Sequence, residues 1–255
     1  MRIVSLTCSN TEIVCALGQA HQLVGVDDHS DHPDEVVTKL PRVGPDLGID
    51  IDAVAALQPD LVLASLTVPG HERVLDGLHA AGLPFIAPEP VALDDVLDDV
   101  RTIASALGVQ AQGARLAAEL SEGLAARPPL PRRPSILVEW WPKPVIVPGR
   151  DSWVTQLLER AGARNPLADD PCKSRPVTDD EVRALAPDAA VICWCGVPFA
   201  RYRPDVVLRR EGWSSTPALR HGRVHCVPEA FLGRPGPRLV QGLAALRAVA
   251  EAAVG

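Results

Sequence analysis

Cysteine and histidine residues spread along the chain could together hold a thiophilic metal ion. One residue separates Cys193 from Cys195, so an extended segment would place both thiols on the same side. With Cys8 and either His29 or His32 they could complete a soft metal site, because such ions prefer thiolate and imidazole ligands. The spacing is equally compatible with small side chains that pack beside an organic ligand, and the sequence leaves both interpretations open.

The segment around His29 allows two other kinds of chemistry. The spacing Asp27-x-His29-x-x-His32 is similar to the D-x-H-x-x-G motif by which some corrinoid enzymes supply a histidine to cobalt, but the glycine is missing. A Cys8 thiol activated by His29 would be a nucleophile. The motifs of phosphate-binding loops, dinucleotide-binding folds, zinc proteases and serine hydrolases are absent. The sequence therefore favours a binding protein that is not an enzyme and requires no cofactor.

Tryptophans concentrate in the second half of the chain. Of the five in the sequence, Trp140, Trp141 and Trp194 fall at the ends of predicted strands. The flat apolar face of an indole suits a large planar ligand. Because adjacent residues of a strand point to opposite faces, one member of the Trp140–Trp141 pair is expected to pack in the core. We therefore expect a planar ligand beside at least one of the two.

Predicted strands alternate with predicted helices, which indicates parallel sheets covered by helices. The predicted strands span residues 2–7, 23–26, 60–65, 83–87, 135–140, 188–194 and 223–227. Ligands of parallel sheets bind beyond the carboxyl ends of the strands. The residues at the carboxyl ends of the strands and directly after them are therefore the candidate ligand-binding set: Cys8, Ser9, His29, His32, Leu66, Trp140, Trp141, Cys193, Trp194, Cys195, Phe231 and Arg234.

One helix–strand segment occurs twice. Residues 52–63 and residues 180–191 share an apolar helical pattern, a Leu-x-Pro-Asp sequence and an apolar strand. This repeat predicts an α/β protein of two Rossmann-like lobes with parallel sheets and a ligand cleft between them. We place the N-terminal lobe at residues 1–108, a connecting long helix at 109–128 and the C-terminal lobe at 129–255. A helix over residues 110–127 would be about 27 Å long.

Composition excludes several classes of function. The chain is 47% hydrophobic and carries a net charge of −7, so nucleic-acid binding is not expected. No segment has the roughly 20 consecutive apolar residues of a membrane span. No signal peptide precedes the first predicted strand, which favours a cytoplasmic location, or an extracytoplasmic one if an export signal has been removed. The six cysteines are then expected to be thiols.

The order of several short motifs resembles the substrate-binding proteins of vitamin B12 and iron-siderophore import, the helical-backbone class of periplasmic-binding-protein-like folds. The resemblance covers essentially the whole chain, and the cobalamin binders are the most similar branch. It is carried by Ile3-Val4-Ser5-Leu6, Asn10-Thr11-Glu12, Leu23-Val24-Gly25-Val26, Ser30-Asp31-His32-Pro33, Pro41-Arg42-Val43-Gly44, Ala55-Ala56-Leu57-Gln58-Pro59-Asp60-Leu61-Val62, Pro148-Gly149-Arg150-Asp151-Ser152 and Ala161-Gly162-Ala163-Arg164-Asn165.

This resemblance implies non-enzymatic binding of cobalamin or a related corrinoid between two lobes, with an ABC permease as partner. Asp46, Leu47 and Ser65 stand where the cobalamin-binding branch carries aromatic residues. The contacts that the resemblance implies come from the segment after Cys8, the loop of His29 and His32, Asp46, Leu47, Trp213, Phe231 and Arg234.

The alternative is a cytosolic protein that binds a metal ion, haem or a ferric chelate. Its ligands would be Cys8, His29, Cys193 and Cys195.

Overall fold

Two α/β units form from the two halves that the repeat predicts. The computed structural model describes residues 1–255. The first unit consists of Met1–Pro90 and Asp94–Leu120, and the second of Val91–Leu93 and Ser121–Gly255. The chain passes from the first unit to the second within the helix Gln110–Gly123, which ends earlier than the predicted residue 127.

The first half of the chain builds a four-stranded parallel sheet. Its elements are β1 (Ile3–Ser5), α1 (Cys8–Ala16), β2 (Leu23–Val26), α2 (Asp34–Val37), α3 (Ile51–Ala56), β3 (Leu61–Leu63), α4 (His71–Ala80), β4 (Phe85–Ile86), α5 (Leu93–Ala106) and α6 (Gln110–Gly123). The strands lie in the order β2-β1-β3-β4, and Ile3 of β1 pairs with Leu61 of β3. All three strand pairings are parallel, as the alternation of strands and helices predicts.

The second half contains a parallel sheet and a small antiparallel sheet. Its elements are β5 (Ile136–Glu139), β6 (Trp141–Pro142), β7 (Val145–Pro148), α7 (Trp153–Arg160), β8 (Ser174–Val177), α8 (Asp179–Leu185), β9 (Ala189–Ile192), α9 (Pro204–Leu208), α10 (Pro217–Arg220), β10 (Val224–Cys226), α11 (Glu229–Leu232) and α12 (Leu239–Val254). Strands β10, β9 and β5 form the parallel sheet in that order, while β6, β7 and β8 form the antiparallel one. The predicted α/β class with parallel sheets is confirmed, and the antiparallel sheet is an addition to it.

The two copies of the repeat have the same local structure. Helices α3 and α8 begin with a side-chain cap, in which Asp50 accepts from the Ala53 N–H at 3.0 Å and Thr178 from the Glu181 N–H at 3.2 Å. Each helix is followed by a residue of positive φ directly before a proline: Gln58 at 47° and Ala186 at 44°. A proline cannot continue the helix, so the chain turns into the next strand at the same point in both copies.

The aspartate of each copy forms two hydrogen bonds with the residue that precedes the first strand of its sheet. Asp60 accepts from the Arg2 N–H at 2.6 Å, and its own N–H donates to the Arg2 carbonyl at 2.8 Å. Asp188 accepts from the Ser135 N–H at 2.8 Å and donates to the Ser135 carbonyl at 2.8 Å. The repeated Pro-Asp sequence therefore has one structural role, which is to set the register of β3 against β1 and of β9 against β5.

Each unit has its own apolar core. In the first, strand residues such as Val4 and Val62 pack against α3 and α4 through Val54 and Leu78. In the second, a larger core surrounds Trp213. No helix combines the length with the apolar character needed to cross a bilayer.

Candidate functional site

The segment after β1 belongs to a helix and not to a loop. Helix α1 begins at Cys8, so Cys8 and Ser9 lie in its first turn. Cys8 is half-buried and Ser9 is buried. The amide of Asn10 donates to the Ala64 carbonyl at 2.7 Å, which ties this turn to the end of β3. The polar residues that look like a loop are therefore held in a helix by a contact with a distant strand.

The turn that follows β2 is fixed by a buried carboxylate. Asp27 accepts from the Ser30 hydroxyl at 2.5 Å and from the His29 N–H at 3.0 Å. Arg42 donates to the Asp27 carbonyl at 2.7 Å and to the Ser30 carbonyl at 2.6 Å. Burial raises the pKa of Asp27, and the hydrogen bonds from Ser30 and His29 oppose this increase. These contacts hold the backbone of His29 in place while its side chain remains exposed.

His29 shares a carboxylate with a second histidine. Nε2 of His29 lies 3.7 Å from Oδ1 of Asp46, and Nε2 of His71 lies 3.8 Å from Oδ2 of the same residue. The His71 imidazole holds the pKa of Asp46 below its usual range, with burial acting in the opposite direction. We refer to His29, Asp46 and His71 as the His–Asp–His cluster. All three belong to the first unit.

Two exposed apolar side chains border this cluster. Leu47 follows Asp46 directly, and Val68 donates its backbone N–H to Nδ1 of His71 at 3.4 Å. Leu66 is half-buried, and its backbone N–H bonds the Pro88 carbonyl at 3.0 Å. His32 is exposed on the same loop as His29 and forms none of the contacts of the cluster.

The two adjacent tryptophans at the end of β5 have different surroundings. Trp140 is half-buried, with its ring 6.4 Å from that of Trp153, and its indole Nε1 is buried without a hydrogen-bond partner. Trp141 lies in β6, is 43% exposed and donates from Nε1 to the Lys143 carbonyl at 3.1 Å. The pair presents one open aromatic face and one unpaired N–H donor.

Trp194 and Trp213 pack inside the second unit. The Trp194 indole donates to Oε1 of Glu139 at 2.8 Å, and Glu139 also forms a bidentate ion pair with Arg210. The Arg210 guanidinium lies 4.5 Å from the ring centroid of Trp213, whose indole donates to Asp179 at 2.8 Å. Trp213 has no exposed surface and Trp194 very little. Both side chains therefore fill the core of the second unit, and ligand contact by either residue stays a prediction.

Cys193 and Cys195 differ in burial although one residue separates them. Cys193 is completely buried at the end of β9, where burial raises the pKa of its thiol, while Cys195 is half-buried. None of the six cysteines forms a disulfide. No group of three or more His, Cys, Asp or Glu side chains is arranged to hold a metal ion. A thiol that resists ionisation is a poor metal ligand, so Cys193 is better explained as a core residue.

Helix α11 positions the predicted pair Phe231 and Arg234. Both are half-buried, and Arg234 donates to Glu229 at 2.8 Å. The guanidinium of Arg238 lies 6.0 Å from the Phe231 ring centroid. This segment of the second unit thus combines an aromatic ring with the Arg238 guanidinium and with the ion pair of Arg234 and Glu229.

Sequence reasoning missed His71, Glu139 and Arg210. His71 is the first residue of α4 and follows the loop that contains Leu66. Ligands bind at the loops after parallel strands, so a candidate set that ran through this whole loop to α4 would have included His71. Glu139 ends a strand whose other residues are apolar. A carboxylate in such a strand is expected to be buried and therefore to need a charged partner. Nothing in the sequence points to Arg210.

Comparison with known proteins establishes the family. The model of the periplasmic binding protein family matches residues 3–230, and the chain belongs to this family. The chain is 30% identical over 251 residues to the uncharacterized ABC transporter substrate-binding lipoprotein YvrC of Bacillus subtilis (strain 168), in an alignment covering 95% of this chain and 77% of the relative.

Two further proteins are similar over nearly the whole chain. A vitamin B12-binding protein of Pectobacterium carotovorum is 26% identical over 245 residues, covering 94% of this chain and 84% of the relative. The apo structure of the periplasmic heme-binding protein RhuT from Roseiflexus sp. RS-1 superimposes with a TM-score of 0.84 at 30% identity, covering 100% of this chain and 99% of the other. The predicted relation to vitamin B12 and iron-chelate binders is confirmed at the level of the family.

Proposed function

We propose that this chain is a non-enzymatic binding protein for a metal-centred tetrapyrrole, with cobalamin or a related corrinoid as the first candidate. The observation that carries the proposal is the aromatic pair Trp140 and Trp141 at the carboxyl end of β5. Membership of the periplasmic binding protein family and the similarity to a vitamin B12-binding protein support the choice of ligand.

The physical basis of binding is the removal of flat apolar surface from water. Trp141 exposes 43% of its surface, and covering an indole with a planar ring adds stacking to the ordinary hydrophobic contribution. The unpaired indole N–H of Trp140 would donate to a carbonyl or carboxylate on the rim of the ligand. A buried donor without a partner costs free energy, so such a hydrogen bond would favour the bound state.

Haem is the second candidate, and one observation favours it specifically. The guanidinium of Arg238 lies 6.0 Å from the Phe231 ring centroid, and guanidinium groups pair strongly with carboxylates. The rim of haem carries two carboxylates, whereas the corresponding side chains of cobalamin are amides without charge. The similarity to the heme-binding protein of Roseiflexus sp. RS-1 is consistent with this alternative.

Quenching of tryptophan fluorescence separates the candidates. All five tryptophans lie in the second unit, and a coloured macrocycle bound within energy-transfer range of them quenches their emission. The purified chain is titrated with cyanocobalamin, hydroxocobalamin, haemin and a ferric hydroxamate. Tight saturable binding of a cobalamin supports the first candidate, and binding of haemin alone supports the second. Binding of none of the four contradicts the proposal.

The variant Trp141→Ala tests the aromatic contribution. Loss of one stacked indole should weaken binding by about 1–3 kcal/mol, which is about 5- to 150-fold in Kd. Phe199→Ala is the matched control, since Phe199 is an aromatic of the second unit that is 51% exposed. Equal affinities for the two variants would show that Trp141 is not part of the site.

Delivery of the ligand to a membrane permease is part of the proposal, because the Bacillus subtilis relative is named as an ABC transporter substrate-binding protein. The cytoplasmic location expected from the sequence stays a prediction. Fractionation of native cells with an antibody against the chain tests it. Recovery of the chain outside the cytoplasm would contradict the location and would leave the binding proposal unaffected.

A further inference from the structure

Exposed apolar side chains are concentrated in one short segment of the second unit, residues 199–209. Seven large apolar side chains of the chain are exposed, and three of them, Phe199, Val206 and Leu208, lie in this segment. Phe199 is 51% exposed and begins a 3₁₀ turn that ends at Arg201, while Val206 and Leu208 belong to α9. Grouped apolar side chains at a surface mark sites of interaction with proteins or membranes, whereas single ones do not.

Two buried residues fix the segment to the core and leave these side chains on the surface. Tyr202 donates its hydroxyl to the Trp194 carbonyl at 2.9 Å, and its ring lies 5.2 Å from the Phe199 ring in an edge-on orientation. Val207 of α9 packs in the core that contains Trp213. Because Tyr202 and Val207 occupy the side of the segment next to the core, the apolar side chains beside them face away from it.

Three exposed arginines give the same segment a positive charge. Arg203 and Arg209 lie 3.1 Å and 3.7 Å from the carboxylate of Asp205, and the hydrogen bonds from Arg203 lower the pKa of this carboxyl. One carboxylate does not neutralise two guanidinium groups, and Arg201 is exposed and forms no ion pair. Residues 199–209 therefore carry a net charge of +2 in a chain whose net charge is −7. A surface of this sign attracts an anionic partner.

We propose that residues 199–209 attach the chain to membranes that contain anionic lipids. The guanidinium groups pair with lipid phosphates, while Phe199, Val206 and Leu208 enter the region between the head groups and the acyl chains. A bilayer surface accepts separate apolar side chains beside arginines without a matching groove. A stable protein interface, in contrast, uses about 20–30 residues on each side, and this segment has eleven. The proposal is independent of the proposed function.

Co-sedimentation of the purified full chain with lipid vesicles tests the proposal. One set of vesicles contains phosphatidylglycerol and phosphatidylcholine in equal parts, and the other contains phosphatidylcholine alone. We expect the chain to bind the anionic vesicles at least about 10-fold more tightly, because each arginine near an anionic surface strengthens binding about 5-fold. Raising the NaCl concentration from about 0.1 M to about 1 M should weaken this binding, since the Debye length falls from about 10 Å to about 3 Å.

Single variants locate the binding surface. Arg201→Gln and Phe199→Ala should each weaken binding to the anionic vesicles about 5-fold, the first by removing a positive charge and the second by removing apolar surface. Arg201→Gln should also reduce the effect of salt, whereas Phe199→Ala should not. Arg115→Gln is the matched control, because Arg115 is an exposed arginine of α6 in the first unit and its loss changes the net charge equally. It should leave the affinity for vesicles unchanged.

Four outcomes decide the proposal. A preference for anionic vesicles that is reduced in Arg201→Gln and Phe199→Ala supports it. Equal binding to both kinds of vesicle, or to neither, overturns it. An equal loss in Arg115→Gln and Arg201→Gln also overturns it, since the net charge of the chain then explains the binding. If the parent sediments as a dimer in the ultracentrifuge and Phe199→Ala as a monomer, residues 199–209 form an interface between two copies and the proposal is overturned. None of these results changes the proposed function, because the vesicles contain no tetrapyrrole.

Discussion

The ion pair between Glu139 and Arg210 should contribute strongly to the stability of the second unit. Glu139 is 1% exposed and Arg210 15%. The carboxylate accepts two hydrogen bonds from the guanidinium and one from the Trp194 indole. Glu139→Leu leaves a largely buried cation and an indole N–H without partners, and removing one member of such a pair typically costs about 3–5 kcal/mol.

The double variant distinguishes the cost of a broken pair from the net contribution of the pair. Arg210→Met should also cost about 3–5 kcal/mol, since it leaves the buried carboxylate uncompensated. Glu139→Leu combined with Arg210→Met removes both charges together. We expect it to cost several kcal/mol less than the sum of the two single variants, which is a large coupling energy for neighbouring residues.

Urea unfolding monitored by tryptophan fluorescence measures these effects, because the signal comes from the second unit alone. The matched control is the pair Arg203 and Asp205, which is also bidentate but has 66% of the arginine side chain and 34% of the aspartate side chain exposed, and its variants should change stability by about 0–1 kcal/mol. If the costs of Glu139→Leu and Arg210→Met simply add, the two groups act independently and the reasoning is refuted.

Three other predictions concern single groups. Burial and its acidic neighbours raise the pKa of Asp99 to about 7, so the folded state binds a proton between about pH 4 and 7 that the unfolded chain releases. The free energy of unfolding should therefore fall as pH rises through this window. Thermal unfolding should show that Asp99→Asn is up to about 1 kcal/mol more stable than the parent at pH 8 and equally stable at pH 4. Cys193 should resist a thiol reagent at pH 8 in the folded chain while Cys195 reacts, and equal rates would contradict the burial argument. Asp60→Ala and Asp188→Ala should each cost about 1–2 kcal/mol by urea unfolding, since each leaves a strand N–H without its acceptor; no loss in either would contradict the shared role.

Local rules explain why the repeat was predictable. Asp50 and Thr178 are good helix caps, and the prolines that follow α3 and α8 stop both helices whatever surrounds them. The start of α1 was not predictable in this way. Its polar first turn resembles a loop, and the contact of Asn10 with the distant Ala64 carbonyl is one that local sequence does not reveal.

The antiparallel sheet escaped prediction for a similar reason. Strand β6 is two residues long and contains Pro142, and prolines usually indicate the edge or the end of a strand. Its neighbour β7 pairs with β8 through Val145 and Val177, residues far apart in sequence. Such pairing depends on the tertiary fold, which a periodic pattern of apolar residues does not determine.

Residue type alone did not distinguish core residues from exposed ones in the candidate site. Tryptophan and cysteine are rare enough to suggest ligand contacts, yet Trp213 and Cys193 are core residues and only Trp141 of the second-unit candidates is widely exposed. His71 was overlooked for the opposite reason. Its buried Nε2 atom has no hydrogen-bond partner, and this is visible only once α4 is packed in the fold.

The repeat duplicates the backbone but not the chemistry at the strand ends. The turn after β2 in the first unit carries His29, which lies beside Asp46 and thus near a negative charge. The segment after β5 in the second unit carries Trp140 and Trp141, and α11 carries the aromatic Phe231. The shared backbone of the repeat therefore carries a charged polar surface at the strand ends of the first unit and an aromatic one at those of the second.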